Sequence, residues 1–149
     1  MQLSSFIDPD LVFHQLSSSS KKRLFEEVAQ AVSEKHPGLV EKDIFDGLFE
    51  RERLGSTGIG AGVAVPHCRL QSGTQDSCAL VTLETPIGFD APDGKPVDLL
   101  VFLVVDGDAC QAHLDRLAAV SRYFSEAQHR EQVRQCDSTE QLRSLILDS

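Results

Sequence analysis

The sequence predicts an α/β fold, a single domain built as a three-layer sandwich in which a mixed β-sheet is flanked by helices on both sides. Two observations favour this class. Segments with a 3.6-residue apolar period alternate, imperfectly, with the short apolar runs typical of buried strands. The run Val97–Val105 is almost wholly apolar, as expected of a central strand covered on both faces. The 149 residues suffice for one core, and no repeat or long linker divides residues 1–149.

The first third of the chain predicts one short strand and two helices. The strand is expected near Leu11–Phe13. The run Ser17–Ser20 supplies hydroxyl groups suited to a helix N-cap, and the helix behind it ends at His36–Gly38. The second helix is predicted over Glu41–Leu54 and ends at Gly55. The apolar faces of the two helices comprise Leu24, Phe25, Val28, Ala31 and Val32, and Ile44, Phe45, Leu48 and Phe49.

The middle of the chain predicts three strands, over Gly62–Pro66, Cys78–Glu84 and Val97–Val105. Between the last two, Pro86–Pro96 is expected to be a loop, because Pro92-Asp93-Gly94 is typical of a turn.

The last third predicts three helices. They are expected over Gln111–Phe124, near Glu126–Arg134, and from Ser138 onward, where Ser138-Thr139-Glu140-Gln141 matches a capping box. The predicted apolar faces are Leu114, Leu117, Ala118, Ser121 and Phe124 in the first helix, and Leu142, Leu145 and Ile146 in the last.

Charge and composition argue against several functional classes for this protein. A formal net charge of −9 argues against nucleic-acid binding and favours protein partners with a basic patch. The longest apolar stretch, Leu99–Val105, is far shorter than a membrane span, and the N-terminus lacks a signal-peptide pattern, so a cytoplasmic protein is predicted. The four cysteines show no metal-ligand spacing and are expected to be reduced thiols. Cys68 is a candidate redox sensor, although a tolerated small residue is the favoured interpretation.

The most informative motif is a loop with several glycines that leads to a Pro-His pair. Its glycines, beginning with Gly58, allow backbone N–H groups to approach an anion, and Ser56 and Thr57 add hydroxyl donors. His67, after Pro66, is a nucleophile suited to neutral pH. The motif therefore suggests a phosphate-binding site where a histidine meets a phosphoryl group.

Two further residues fit the same hypothesis. Arg51 can neutralise phosphate oxygens, and His113 lies near the start of a helix where it could reach the site. Such a site needs no metal and no cofactor. From spacing alone a second interpretation stays open, in which His67 is an ordinary surface residue and the glycine loop simply turns the chain.

Other chemistries fit less well. A dinucleotide fingerprint requires a third glycine where this chain has Val63 or Val65, and the run precedes a strand instead of following one. A P-loop is missing its Gly-Lys pair, because Ala61 follows Gly60. The chain has neither a G-x-S-x-G nucleophile motif nor a local spacing that predicts zinc ligands.

The run Arg51–Cys68 resembles the active-site signature of fructose/mannitol-type enzyme IIA domains of the bacterial phosphoenolpyruvate-dependent phosphotransferase system. Glu52 takes the place of the more usual Asp, and Cys68 that of the more usual Gly. The resemblance extends over nearly the whole chain. Segments especially similar to the nitrogen-regulatory branch are Gly55–Gly60, Leu83–Asp90 and Pro96–Leu100.

This resemblance implies a phosphoryl carrier with a mainly regulatory role, on a mixed sheet flanked by helices. It implies that His67 accepts the phosphoryl group from an HPr-like phosphocarrier, that His113 is the second active-site histidine, and that Arg51 lies beside them. Regulatory target proteins in nitrogen or potassium metabolism would then be bound in one phosphorylation state. The expected assembly is a monomer or weak homodimer.

Two alternatives stay open. The first is the IIA component of a fructose/mannitol-type sugar transporter, which passes the phosphoryl group to a separate IIB protein. The second is a non-catalytic binding module.

Overall fold

The computed structural model describes residues 1–71, 75–107 and 110–149. Within these ranges six strands form one open mixed sheet, and five α-helices cover it. The strands are β1 Val12–Leu16, β2 Gly58–Gly60, β3 Val63–Ala64, β4 His67–Leu70, β5 Ser77–Ile87 and β6 Val97–Asp106. The helices are α1 Lys21–Lys35, α2 Glu41–Leu54, α3 Cys110–Phe124, α4 Ala127–Arg134 and α5 Thr139–Leu147. Two 3₁₀ turns, Leu3–Ser5 and Pro9–Leu11, precede β1.

The sheet has the order β1-β5-β6-β3-β2, with β4 also paired to β6. Strand β5 runs parallel to β1 and antiparallel to β6, and both β3 and β4 run parallel to β6. Val63 pairs with Leu99 and His67 with Leu103, so β3 and β4 share one register along β6. They are therefore two halves of a single strand, interrupted at Val65–Pro66. Proline cannot donate a ladder hydrogen bond, which favours a break there.

The two faces of β6 support the two helical layers, because successive side chains of a strand point to opposite faces. One set of alternate residues packs with α1 and α2, and the other packs with α3, α4 and α5. The first set comprises Leu100, Phe102 and Val104, and the second comprises Leu99, Val101 and Leu103. The predicted three-layer sandwich with a mixed sheet is confirmed.

The strand predictions need three corrections. The strand predicted over Gly62–Pro66 is only Val63–Ala64, and neither β2 nor β4 was predicted. Segments of three or four residues are too short for a periodic pattern to reveal them. Strand β5 continues to Ile87 and so includes the first residues of the predicted loop Pro86–Pro96. Its pairing with β6 shifts between Thr82 and Ile87, and such an irregular stretch tolerates proline.

The predicted apolar face of α3 is wrong in part: Leu117 and Phe124 pack into the core, whereas the other three residues do not. Leu114 is 54% exposed, and Ala118 and Ser121 are exposed as well. The buried face instead carries His113 and Val120, together with the correctly predicted Phe124. Hydrophobicity alone favoured Leu114 over the histidine next to it, whereas the packed helix places the histidine inward.

No helix in the described ranges is long and apolar enough to cross a membrane.

Candidate functional site

A cleft of about 500 Å³ opens where α2, β4 and α3 meet. It contains three of the residues that the sequence singled out, Arg51, His67 and His113, together with Arg69, which the sequence pattern did not indicate. The signal for Arg69 was its position two residues after His67, which places both side chains on one face of β4. The other lining residues are Gly47, Glu50, Cys68, Leu114 and Leu117.

His67 is oriented by the break between β3 and β4. Pro66 directs its carbonyl to the backbone N–H of Leu103, whereas the Val65 carbonyl lies 2.8 Å from Nδ1 of the His67 ring. A carbonyl oxygen can only accept a hydrogen bond, so Nδ1 carries the proton in the neutral ring. Nε2 then holds the lone pair, and it is the nitrogen available as a nucleophile.

Both histidines of the cleft are held in the neutral form. Burial lowers the pKa of His67, and the positive charges of Arg51 and Arg69 lower it further. Burial, followed by the charges of His67, Arg69 and Arg116, lowers the pKa of His113 to about 4. A neutral imidazole is the form that can attack an electrophile, so the site is ready for nucleophilic chemistry at neutral pH.

His113 is the most enclosed polar residue of the cleft, with 3% of its surface exposed. Its ring centroid lies 5.2 Å from that of His67. Among the described residues, its Nδ1 is buried without a hydrogen-bond partner. Orphaned polar atoms of this kind are uncommon in folded proteins and are found at functional sites.

Arg51 lies in the last turn of α2, and its Nη1 donates a hydrogen bond to the Gly55 carbonyl at 2.9 Å. The neighbouring Arg53 is paired with Glu50 and does not line the cleft. Arg51 and Arg69 thus bring two guanidinium groups to a cleft that also contains the Glu50 carboxylate, in a chain whose net charge is −9. The arrangement suits an anionic group that approaches His67.

The three loop residues predicted to bind phosphate do not line this cleft. The Ser56 hydroxyl donates to the Phe89 carbonyl at 2.6 Å and accepts from the Gly58 N–H at 3.1 Å. The backbone N–H and the hydroxyl of Thr57 both donate to the Glu52 carboxylate, at 3.0 and 2.5 Å. Their donors stabilise the loop itself, and a phosphate-binding role for them stays a prediction.

Cys68 is not suited to redox sensing. Only 5% of its surface is exposed, and burial raises the pKa of its thiol to about 12. The reactive species of cysteine is the thiolate, so this thiol is inert near neutral pH.

The described ranges contain no group of three or more His, Cys, Asp or Glu side chains that could hold a metal ion.

A three-layer α/β/α domain whose neutral histidine faces two arginines has the features of a phosphoryl-carrier domain. The chain belongs to the family described as phosphoenolpyruvate-dependent sugar phosphotransferase system, EIIA 2, whose model matches residues 5–149.

Two proteins that share more than a third of their residues with this chain are nitrogen regulatory proteins. The nitrogen regulatory protein of Pseudomonas aeruginosa is 36% identical over 148 residues, which cover 99% of this chain and 96% of that protein. The crystal structure of nitrogen regulatory protein IIA-Ntr from Neisseria meningitidis has a TM-score of 0.88 and 38% identity, and covers 97% of this chain and 98% of that one.

A more distant neighbour shares the fold. Enzyme IIAMTL of Escherichia coli, solved in complex with phosphorylated enzyme IIBMTL, has a TM-score of 0.76 and 12% identity. It covers 96% of this chain and 98% of its own. The family match and the nitrogen regulatory relatives identify the protein as a phosphoryl carrier related to the phosphotransferase system.

Proposed function

We propose that this protein accepts a phosphoryl group on Nε2 of His67 from a phosphohistidine of an HPr-like phosphocarrier protein. The Nε2 lone pair forms the new N–P bond while the P–N bond of the donor breaks, and the electron pair of that bond returns to the donor's imidazole. The proton on Nδ1 stays in place throughout. The observation that carries the proposal is the 2.8 Å contact between Nδ1 and the Val65 carbonyl, because it leaves Nε2 free to react.

The arginines supply the electrostatic part of the proposal. Arg51 and Arg69 line the cleft beside His67, where they offset the negative charge of the arriving phosphoryl group. His113 lies 5.2 Å from His67, between ring centroids, and as a neutral ring it adds no charge that would repel the arginines. Placing cations before the reaction begins avoids the cost of reorganising solvent during transfer.

We further propose a regulatory output. The most similar relatives reported above are nitrogen regulatory proteins, which favours protein targets in nitrogen or potassium metabolism. Phosphorylation adds roughly −1.5 to −2 charges, which is enough to abolish or create docking at the cleft. The proposal includes the cytoplasmic location and the single functional domain that the sequence predicts.

Transport is the second candidate function. The neighbour IIAMTL was solved with phosphorylated IIBMTL, and its fold is that of this chain. In this alternative a separate IIB protein removes the phosphoryl group from His67.

The test is the intact mass of the protein after incubation with phosphoenolpyruvate, enzyme I and HPr or its nitrogen-branch paralogue. We expect an acid-labile gain of one phosphate, which His67→Ala abolishes. His36→Ala is the matched control, because His36 lies outside the cleft and pairs with Asp8. A phosphate gain that persists in His67→Ala, or no gain with any donor, would overturn the proposal. Loss of the phosphate on addition of a IIB protein would favour transport over regulation.

A further inference from the structure

Gly47 is an unusual residue for its position in the middle of α2. Glycine is less favourable than alanine in a helix interior. Here the missing side chain creates space for β4. A Cβ atom built on Gly47 would lie 3.1 Å from both Cβ and Sγ of Cys68, and 3.6 Å from Cδ2 of Leu70. The first two separations are tighter than ordinary van der Waals contact. The absence of a side chain on Gly47 therefore allows α2 to approach β4 this closely.

The contact lies next to both chemistry-bearing groups of the cleft. Arg51 follows Gly47 by one helical turn, so the two residues share one face of α2. His67 precedes Cys68 on β4. All four residues line the same cleft. A change in the spacing between Gly47 and Cys68 therefore changes the spacing between Arg51 and His67.

We propose that Gly47 and Cys68 form a size-matched pair that sets the separation of α2 from β4 and thereby positions Arg51 against His67. Both are positioning residues. This inference rests on the proposed function of the cleft and extends it to residues without chemistry of their own. Gly47 provides the space that the Cys68 sulfur occupies.

Core packing around Cys68 prevents its side chain from moving away from Gly47. Cys68 is 5% exposed and belongs to the core cluster that includes Leu48 and Leu70. Because its sulfur is enclosed, a methyl group at position 47 displaces the helix and its arginine instead of the thiol. Removing the sulfur creates the space again, so the two changes are expected to compensate each other.

The experiment compares Gly47→Ala, Cys68→Gly and the double variant Gly47→Ala/Cys68→Gly with the unmodified protein. Gly38→Ala is the control, because a Cβ atom there meets nothing within 4 Å. Two quantities are measured. One is the initial rate of phosphoryl acceptance from the phosphorylated HPr-like donor. The other is the pKa of the His67 imidazole by NMR titration, which needs no donor and senses the charges of Arg51, Glu52 and Arg69.

We expect Gly47→Ala to slow acceptance by on the order of tenfold, because small misplacements of a positioning group cost one to two orders of magnitude. The pKa of His67 should rise toward its ordinary value as Arg51 moves away. The double variant should recover both quantities to within about twofold. A merely structural role would change the unfolding midpoint without this coordinated shift and rescue.

Three results would overturn the inference. They are an unchanged rate and pKa in Gly47→Ala, a slowed variant that Cys68→Gly does not rescue, or a double variant that fails to fold when Gly47→Ala also fails. Absence of phosphate in the unmodified protein would overturn the proposed function alone, because the NMR titration still tests whether the pair positions Arg51.

Discussion

The imidazole rings of His67 and His113 lie 5.2 Å apart, with their planes inclined by 52°. At this distance a charge on either ring disfavours a charge on the other. Burial acts in the same direction and is the main cause of the lowered pKa of both residues. The pair therefore stays neutral at pH 7, which is the state a histidine needs to accept a phosphoryl group.

His113 should make the protein sensitive to mild acid. Its pKa is about 4 in the folded protein against an ordinary value of 6.5, so the unfolded chain binds the proton more tightly. The stability that depends on the neutral ring is complete above pH 6.5 and is lost as the pH falls through 4. We expect the free energy of unfolding, measured with urea between pH 7 and pH 4, to fall less steeply in His113→Gln. Parallel curves would contradict the assignment.

A comparison of Arg51 with Arg53 tests whether the position of a positive charge matters for phosphoryl acceptance. Arg51→Ala should slow phosphoryl acceptance by roughly 100-fold, as expected when one preorganised donor to developing charge is removed. Arg53→Ala should stay close to the unmodified rate, because Arg53 is exposed, pairs with Glu50 and does not itself line the cleft. The measurement is the initial rate of mass gain with a phosphorylated donor. Equal effects of the two substitutions would show that net charge matters and position does not.

Glu52 should contribute more to stability than its neighbour Glu50. Glu52 is 8% exposed as a residue, and its carboxylate accepts hydrogen bonds from Lys21 and from two donors of Thr57. Glu52→Gln leaves Lys21 without its charge partner and should cost about 2–4 kcal/mol. Glu50→Gln breaks only the exposed pair with Arg53 and should cost less than about 0.5 kcal/mol. The measurement is the free energy of unfolding of both variants in urea. Similar losses of stability would contradict the larger contribution expected of the buried Glu52 carboxylate.

A comparison of Gly62 with Gly94 distinguishes the cost of backbone strain from the cost of a steric clash. Both have a positive φ, at +80° and +72°. A Cβ atom on Gly62 would lie 2.5 Å from Nη2 of Arg134 and 2.9 Å from Oδ1 of Asp98, whereas one on Gly94 meets nothing within 4 Å. We expect Gly94→Ala to cost about 1–2 kcal/mol from its backbone conformation alone.

Gly62→Ala should cost clearly more than that, because it also disturbs the Asp98–Arg134 ion pair that holds the Ala61 carbonyl. The measurement is the free energy of unfolding of the two variants in urea. Equal losses would mean that Arg134 moves aside freely.

Cys68 should resist alkylation in the folded protein. Its thiol is buried and its pKa is about 12, so almost no thiolate is present at pH 8. We expect peptide mapping after iodoacetamide treatment to show no modification of Cys68 under native conditions and full modification in urea. Rapid native modification, accompanied by loss of phosphoryl acceptance, would restore the redox hypothesis.

Most of the architecture could be predicted from local pattern. The bounds of α2, Glu41–Leu54, agree with the prediction, and the apolar run of β6 was recognised as the central strand. Such elements are long enough for their periodicity to be read without knowledge of their neighbours. The signature that ends at His67 indicated the chemistry for a similar reason, because its residues are adjacent in the chain.

The rest depended on contacts between distant segments. The register along β6 decided that one strand is split at Pro66, and this split decided which nitrogen of His67 is free. Packing of α3 turned His113 inward and Leu114 outward, against their hydrophobicity. The sequence by itself determined the fold class and the candidate nucleophile, since both are written in local periodicity and adjacent residues. Only the tertiary structure decided which cations and which ring nitrogen face the cleft, since neighbours across a sheet are invisible to local pattern.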